Sequence, residues 1–380
     1  MTYNTLNIET LKTKVNYTFF KEKNKPGELH AIVEILDNTL IAKEQYSNID
    51  QSVEQLLKIS SFQNVSLVWK RYFVSDAVNQ SSLIKRMGQE AVSIVQQPPL
   101  RGSKVALWLY AVEEVTLANP SDRITLMKRP NYSHLFHTQL HSSEGDSFQQ
   151  AQAIFSEYVQ DLSAWKATLE GNCLRTWLFV QNVDIQYQAM VEARKQLFEK
   201  ENLTKQTHFI ASTGIEGKYT DPRVINLMDA YAIPEIKKEQ ITYLKGSSHL
   251  NPTHEYGVTF ERGTVVQYGD RRHVFISGTA SINNKGEIVY PLDITKQTGR
   301  VLENIEVLLA EADCDFTHIA HLIIYLRDTA DYDFVEKFME KHYPEIPKVI
   351  TLAPVCRPGW LIEIECMAIR GIKDERFDCF

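Results

Sequence analysis

The stretch with residue types that could do chemistry lies near the end of the sequence and combines a thiol, a guanidinium group and two carboxylates: Cys356, Arg357, Glu363 and Glu365. Proline lacks an amide donor and glycine permits a tight turn, so Pro358-Gly359 predicts a corner between two strands. With a period of two, both glutamates face one side of the strand after this corner. A carboxylate on a half-buried strand is costly unless it is paired or functional. The stretch therefore predicts an acid/base and anion-binding site.

The same residues also have interpretations that involve no chemistry. Glu363 and Glu365 could form the solvated face of an edge strand, and Glu365 is the weaker candidate for a role. Cys356 alone is typical of a small buried hydrophobic residue. Arg262 alone is typical of a surface charge beside a hairpin.

Length and composition limit the class of protein. A chain of 380 residues is too long for one ordinary core, so about two domains are expected. With 43% hydrophobic and 23% charged residues, the composition is that of a soluble globular protein. No apolar run approaches the roughly 18 residues that a membrane span needs. The first residues lack the basic and apolar regions of a secretion signal, so we expect a cytoplasmic location and no membrane partner.

Charge and cysteine usage exclude further classes. The five cysteines are scattered without a C-x-x-C pair, which argues against a disulfide framework and a zinc knuckle. A net charge of −7 without a basic stripe argues against a nucleic-acid partner. An anionic small-molecule substrate would therefore be held by local arginines. His134, His137 and His141 have metal-like spacing, but no acidic or cysteine ligand lies close by in sequence, so we expect no metal.

Two windows of the chain share one pattern of helix, strand, helix and strand. The first helix of each window starts at Asp146 or Asp293, and the following strands contain Thr176 and Ile323, 30 residues later in both cases. This predicts an α+β fold with two tandem units, each a mixed sheet with two helices on one face. The predicted domains are 61–235 and 236–380. Residues 1–60 form an N-terminal extension without a predicted unit, and a site is expected at the seam between units.

The second unit resembles the Rid (YjgF) superfamily, whose domains have a chorismate mutase-like fold. The similar segments are 275–281 (Phe-Ile-Ser-Gly-Thr-Ala-Ser), 286–298, 304–309 and 362–365 (Ile-Glu-Ile-Glu). The two-unit chain resembles more closely the chorismatases, in which a degenerate Rid-like domain precedes a functional one. The similarity covers roughly residues 65–370 and includes 174–177, 186–189, 193–194, 211–215, 256–263, 278–282 and 355–357.

The resemblance implies a reaction and a set of site residues. Chorismatases cleave the enolpyruvyl ether of chorismate to pyruvate and a hydroxybenzoate or a diol, without metal or organic cofactor. By position, Glu363 is the general acid and Arg357 and Arg262 bind carboxylates. The pocket would also be lined by Tyr256, Thr279 and Ala280. Members that form 3-hydroxybenzoate carry a cysteine seven residues before the catalytic glutamate, which is the spacing of Cys356 and Glu363.

The chain departs from both subgroups of the superfamily. Residues 283–290 (Asn-Asn-Lys-Gly-Glu-Ile-Val-Tyr) are closer to a plain Rid protein than to the Val-Gly-His type of segment of chorismatases. The arginine that Rid imine deaminases use to hold the substrate carboxylate aligns with Lys348. A Rid-type enamine/imine deaminase and a non-catalytic small-molecule-binding protein therefore remain alternatives. Rid domains alone form trimers, so a homo-oligomer and a monomer are both open.

Protonating an enol ether requires a carboxylic acid that keeps its proton at neutral pH. Burial of Glu363 between Ile362 and Ile364 would raise its pKa, whereas a neighbouring Arg357 would lower it. A dianionic substrate would neutralise the arginines, so we expect Glu363 to become a good acid in the complex.

Overall fold

The computed structural model describes the whole chain except Gln63 and the side chain of Tyr256. In this described part, the strands form three six-stranded mixed sheets that follow one another along the chain. We call them the N-terminal, middle and C-terminal sheets. Numbering the strands of each sheet from one to six, all three have the spatial order 1-2-3-6-4-5. The chain therefore contains three units of one topology.

The N-terminal sheet is covered on one face by a single long helix, α1 (Ala42–Leu57), with a short helix α2 (Ala77–Gln80) further on. Tyr46, Ile49, Val53 and Leu56 recur at helical spacing and are buried, which is why α1 packs on β2, β3 and β6. The strands are β1 (Thr2–Ile8), β2 (Thr13–Phe20), β3 (Glu28–Ile35), β4 (Val65–Val74), β5 (Ala91–Gln96) and β6 (Val105–Glu113).

The middle sheet carries two long helices, α3 (Ser147–Ala164) and α5 (Val183–Lys200), which pack against each other. The short helix α4 (Leu169–Asn172) precedes its fourth strand. Asp146 caps α3 by accepting a hydrogen bond from the amide of Gln149, which fixes where the helix begins. The strands are β7 (Thr116–Ser121), β8 (Ile124–Lys128), β9 (Ser133–His141), β10 (Cys173–Val180), β11 (Ala211–Glu216) and β12 (Asn226–Ala232).

The C-terminal sheet repeats this arrangement with α6 (Ile294–Glu311) and α7 (Tyr332–His342). Asp293 caps α6 as Asp146 caps α3, since its side chain accepts from the amide of Lys296. The strands are β13 (Ile241–Leu244), β14 (Gly263–Gln267), β15 (Arg271–Ala280), β16 (Ile319–Leu326), β17 (Lys348–Leu352) and β18 (Ile362–Gly371). A 3₁₀ turn at Thr253–Tyr256 lies between β13 and β14.

The α+β class and the repeated unit predicted from the sequence are confirmed, and the structure adds a third unit of the same topology. The predicted division at residue 235 falls between β12 and β13. The division placed after residue 60 falls inside the N-terminal sheet, because β4 pairs with β6 and β6 pairs with β3. No helix in the described part of the chain is long and apolar enough to cross a membrane.

The faces of the sheets opposite the helices meet in one shared apolar core. Trp69 and Trp108 come from the N-terminal sheet, Trp177 from the middle sheet and Phe275 from the C-terminal sheet. Helices α1, α3 and α5 cover separate apolar clusters on the outer faces. Each sheet is therefore buried on both faces, which explains why the central strands are apolar almost throughout.

Arg71 on β4 is a fully buried cation that contacts all three sheets. Its Nη2 atom donates to Asp229 Oδ2 of β12 at 3.1 Å, and its Nη1 atom lies 3.7 Å from Glu365 Oε1 of β18. The guanidinium group also lies over the ring of Trp177 at 4.6 Å. Because an unpaired buried charge is strongly unfavourable, these partners make Arg71 a junction between the units.

We expect the substitution Arg71→Met to lower the free energy of unfolding by about 3–5 kcal/mol, because Asp229 is left as a buried carboxylate without its cation. Equilibrium unfolding in urea measures this change. The matched control is Arg223→Met, whose ion pair with Asp221 lies at the surface with the arginine side chain 70% exposed, and which should cost about 1 kcal/mol or less. Equal effects of the two substitutions would contradict the role of Arg71.

Candidate active site

A pocket lies at the seam between the middle and C-terminal sheets, and five residues predicted from the sequence line it: Arg262, Ala280, Cys356, Arg357 and Glu363. The middle sheet contributes Tyr187 and Arg194 from α5 and Ser212 and Gly214 from β11. The pocket is thus lined by residues of two units. Thr279 is not among the lining residues, and its hydroxyl group donates to the carbonyl of Ser277 at 2.9 Å. The prediction for the Tyr256 side chain lies outside the described residues.

Glu363 is buried because β18 is a central strand of its sheet. It pairs with Ala280 of β15 on one side and with Tyr325 of β16 on the other. The side chain of Glu363 is in contact with Gly278, where an added Cβ atom would lie 2.1 Å from Glu363 Oε1. A register shift between Ile276 and Thr279 sits beside this contact and shapes the strand there. The interpretation of Glu363 as part of a solvated edge is therefore wrong.

Burial and, to a smaller extent, the charge of Glu365 raise the pKa of Glu363 to about 8. The cations that oppose this shift are Arg175 and Arg262. Arg357, which the sequence analysis expected to lower this pKa, instead lies beside Cys356 and lowers the pKa of that thiol. At neutral pH Glu363 therefore holds its proton, as a general acid requires.

Glu365 occupies the same face of β18 but lies in a cage of hydrogen-bond donors. Arg175 Nη2 donates to Glu365 at 2.7 Å, Trp177 Nε1 donates at 2.9 Å, and the hydroxyl group of Thr213 donates as well. All three donors belong to the middle sheet. These donors stabilise the ionised carboxylate, so the two neighbouring glutamates have opposite environments. Glu365 therefore links the C-terminal sheet to the middle sheet.

Cys356 lies in the loop between β17 and β18, beside Glu363. Burial and, to a smaller extent, the neighbouring Glu363 raise the pKa of its thiol to about 12. A hydrogen bond from the Tyr187 hydroxyl and the charges of Arg357 and Arg194 act in the opposite direction. The group is therefore a neutral thiol at neutral pH, which does not fit a thiolate nucleophile.

Three guanidinium groups border the pocket. Arg262 Nη2 donates to the carbonyl of Asn251 at 3.0 Å, and Arg194 Nε donates to Thr259 Oγ1 at 3.0 Å. Arg357 lies over the ring of Trp360 at 5.4 Å. With Glu363 protonated, this cluster makes the pocket suitable for an anionic ligand with more than one carboxylate.

Arg194 and Tyr187 are site residues that the sequence analysis did not assign, although both belong to segments that carried the resemblance. They come from α5, about 170 residues before Glu363. Tyr187 also explains Gly214, because an added Cβ atom there would lie 2.8 Å from the tyrosine ring. The segments 186–189 and 193–194 belong to the resemblance, so they marked this helix as relevant. Which residues of the C-terminal unit this helix faces could be seen only once the two sheets were packed together.

The segment 283–290, which departs from the chorismatase pattern, supports one border of the pocket. It forms a tight turn in which Ile282 bridges to Ile288. Ile288 packs on Gly359, where an added Cβ atom would lie 2.6 Å from its side chain. The departure therefore affects the corner that presents Arg357 and Trp360.

The three histidines with metal-like spacing all lie on the strand β9, and each has a different partner. His134 Nδ1 is hydrogen-bonded to the Tyr231 hydroxyl at 2.7 Å, and His137 packs against Tyr158. His141 packs on Tyr219. Within the described residues, no group of three or more histidine, cysteine, aspartate or glutamate side chains is arranged to hold a metal ion.

The sequence of the C-terminal unit is similar to known proteins. Residues 263–370 match the family model described as endoribonuclease L-PSP. A RutC family protein from Pyrococcus abyssi is 31% identical over 100 residues, which cover 26% of this chain and 78% of the relative. The 3-aminoacrylate deaminase RutC from Acinetobacter baylyi is 29% identical over 97 residues, covering 25% and 77%. The chain therefore belongs to the Rid superfamily.

The fold is also similar to a complete solved structure. A chorismatase crystal structure superposes with a TM-score of 0.65 at 16% sequence identity and covers 80% of this chain and 93% of its own. Within the superfamily, the chain thus has the chorismatase-like fold.

The raised pKa of Glu363 predicts a pH-dependent contribution to stability. Its pKa is about 8 in the folded state and about 4.3 when unfolded, so its contribution is fully present below about pH 4.3 and is lost as the pH rises through 8. Between these values the unfolding free energy of the wild type should fall relative to Glu363→Gln by up to about 1.4 kcal/mol per pH unit. Urea unfolding at several pH values measures the difference, and a difference that is constant across this range would contradict the assignment.

Proposed function

We propose that this protein is a chorismatase-like enzyme that cleaves the enolpyruvyl ether of chorismate to pyruvate and a hydroxybenzoate, with 3-hydroxybenzoate the favoured product. The observation that carries the proposal is a buried Glu363, with its pKa raised to about 8, in a pocket bordered by Arg194, Arg262 and Arg357. Chorismate carries two carboxylates and an acid-labile enol ether. The pocket offers cations for the first and a proton donor for the second.

The proposed reaction begins with proton transfer from the Glu363 carboxyl group to the methylene carbon of the enolpyruvyl group. This gives an oxocarbenium ion and a carboxylate at Glu363, which the nearby arginines stabilise. For 3-hydroxybenzoate, the C–O bond to the ring then breaks and pyruvate leaves, the hydroxyl oxygen on the neighbouring ring carbon shifts to the cationic carbon, and the ring becomes aromatic as it returns one proton to the Glu363 carboxylate. For a diol, water attacks the oxocarbenium carbon and gives its proton to the Glu363 carboxylate, and the hemiketal collapses to pyruvate and the diol. Chorismate has the same atoms as pyruvate plus hydroxybenzoate, so that product needs no net water, whereas a diol consumes one water molecule.

The deaminase alternative is less well supported by the pocket. Lys348, which aligns with the carboxylate-binding arginine of Rid imine deaminases, donates to the carbonyl of Tyr343 at 3.0 Å and lies 3.4 Å from Glu340. It does not line the pocket. The strand register places Ser212 of β11 at the equivalent position in the middle sheet, since Ser212 pairs with Thr176 as Lys348 pairs with Leu322. Ser212 does line the pocket and carries no charge.

Glu363→Gln tests the proposed acid. We expect pyruvate release from chorismate to fall about 10²–10⁴-fold, because the amide cannot donate the proton, while binding of the substrate is retained. A coupled pyruvate assay measures turnover. Glu375→Gln is the matched control, because its side chain is 82% exposed and remote from the pocket. Absence of pyruvate from the wild type would overturn the proposal, and ammonia release from 2-iminopropanoate would then support the deaminase.

Cys356→Ala tests the product assignment. The resemblance associates a small residue at this position with diol formation, so we expect pyruvate release to continue while the second product changes from 3-hydroxybenzoate to a dihydrodiol. Chromatography of the reaction mixture separates the two products. An unchanged hydroxybenzoate would show that the thiol does not determine the outcome.

A further inference from the structure

A second cavity lies at the junction of the three sheets, on the other side of Glu365 from the Glu363 pocket. Its volume is about 40 Å³, which is room for about three water molecules or one small oxyanion. The walls include His30, Trp69 and Trp108 from the N-terminal sheet, Trp177 from the middle sheet and His321 from the C-terminal sheet.

Five buried polar atoms of residues that line this cavity lack hydrogen-bond partners among the described residues. They are Trp69 Nε1, Trp108 Nε1, both ring nitrogens of His30, and His321 Nδ1. The four residues are at most 5% exposed. An indole N–H can only donate, and a buried donor left without an acceptor costs about 1–3 kcal/mol. A ligand that accepts several hydrogen bonds would remove this cost.

The charges around the cavity favour an anion over a cation. Arg71 stacks on the rings of Trp69 and Trp108 at 5.5 Å, and Arg175 forms part of the wall. Arg71 and Arg175 lower the pKa of His321, after the larger effects of burial and of His30. Glu365 also lines the cavity, but its oxygens are engaged by Arg175, Trp177 and Thr213.

Burial also keeps both imidazoles neutral, and it lowers the pKa of His30 to about 3. Each neutral imidazole offers one N–H donor and one acceptor. Together with the two indoles, the cavity presents more donors than acceptors. A cation would need the opposite arrangement.

We propose that this central cavity is a binding site for one small planar oxyanion, of the size of nitrate or formate, which accepts hydrogen bonds from the indoles of Trp69 and Trp108 and from His30 and His321. The site shares no lining residue with the Glu363 pocket.

The test is calorimetric titration of the purified protein with sodium nitrate at constant ionic strength. We expect saturable binding of one anion per chain and at least a tenfold loss of affinity in the double variant Trp69→Phe/Trp108→Phe, which keeps an aromatic ring at each position and removes two donors. Trp165→Phe is the matched control, since Trp165 caps the end of α3 and does not line the cavity. Equal affinity in the double variant would overturn the proposal.

A crystallographic measurement on the wild type keeps the test decisive if the double variant does not fold. Crystals soaked in sodium bromide should show an anomalous peak between the two indoles. Bromide peaks confined to the surface, with only water in the cavity, would overturn the assignment.

Discussion

The balance of buried charge at the junction of the three sheets is the constraint on which the rest of the structure depends. Arg71 and Arg175 are fully buried, and their charges are met by Asp229 and Glu365 across the seams. Each arginine lies on a different sheet from its carboxylate partner, so neither charge is compensated until the units have packed. The sheets must therefore close in one relative arrangement for these buried charges to be paired.

This constraint acts differently at the three seams. The register places Trp108, Asp229 and Glu365 at equivalent positions of β6, β12 and β18. Asp229 accepts from Ser93 of the preceding sheet, and Glu365 accepts from Thr213, which is the equivalent residue. At two seams, a hydroxyl group thus donates to a carboxylate. At the third seam, the equivalent position is the aromatic residue Trp108.

The same comparison explains why the carboxylate of the pocket occurs in one unit. The positions equivalent to Glu363 are Ala106 in β6 and Leu227 in β12. Glu363 therefore lies directly next to a seam carboxylate that is already saturated with donors. Burial in the interior and the charge of Glu365 together raise the pKa of Glu363 and keep a proton on it at neutral pH. Glu365 therefore both joins two sheets and helps to set the pKa of Glu363.

The sequence by itself determined the features that depend on local pattern. The strand with Glu363 and Glu365, the turn at Pro358-Gly359 and the two repeats capped by Asp146 and Asp293 all follow from short-range periodicity and turn chemistry. The N-terminal unit escaped recognition because the helix after β4 is only the four-residue α2, so the helical period that revealed the other two repeats is missing.

The tertiary structure decided which residues meet across the seams. Glu365 contacts Arg175, which is 190 residues earlier in the chain, and no periodic pattern specifies such a pair. For the same reason only the structure showed that Tyr187 and Arg194 enter the pocket and that Thr279 does not. Side-chain alternation fixes the face on which a residue lies, whereas the partner of that face is set by how the sheets pack.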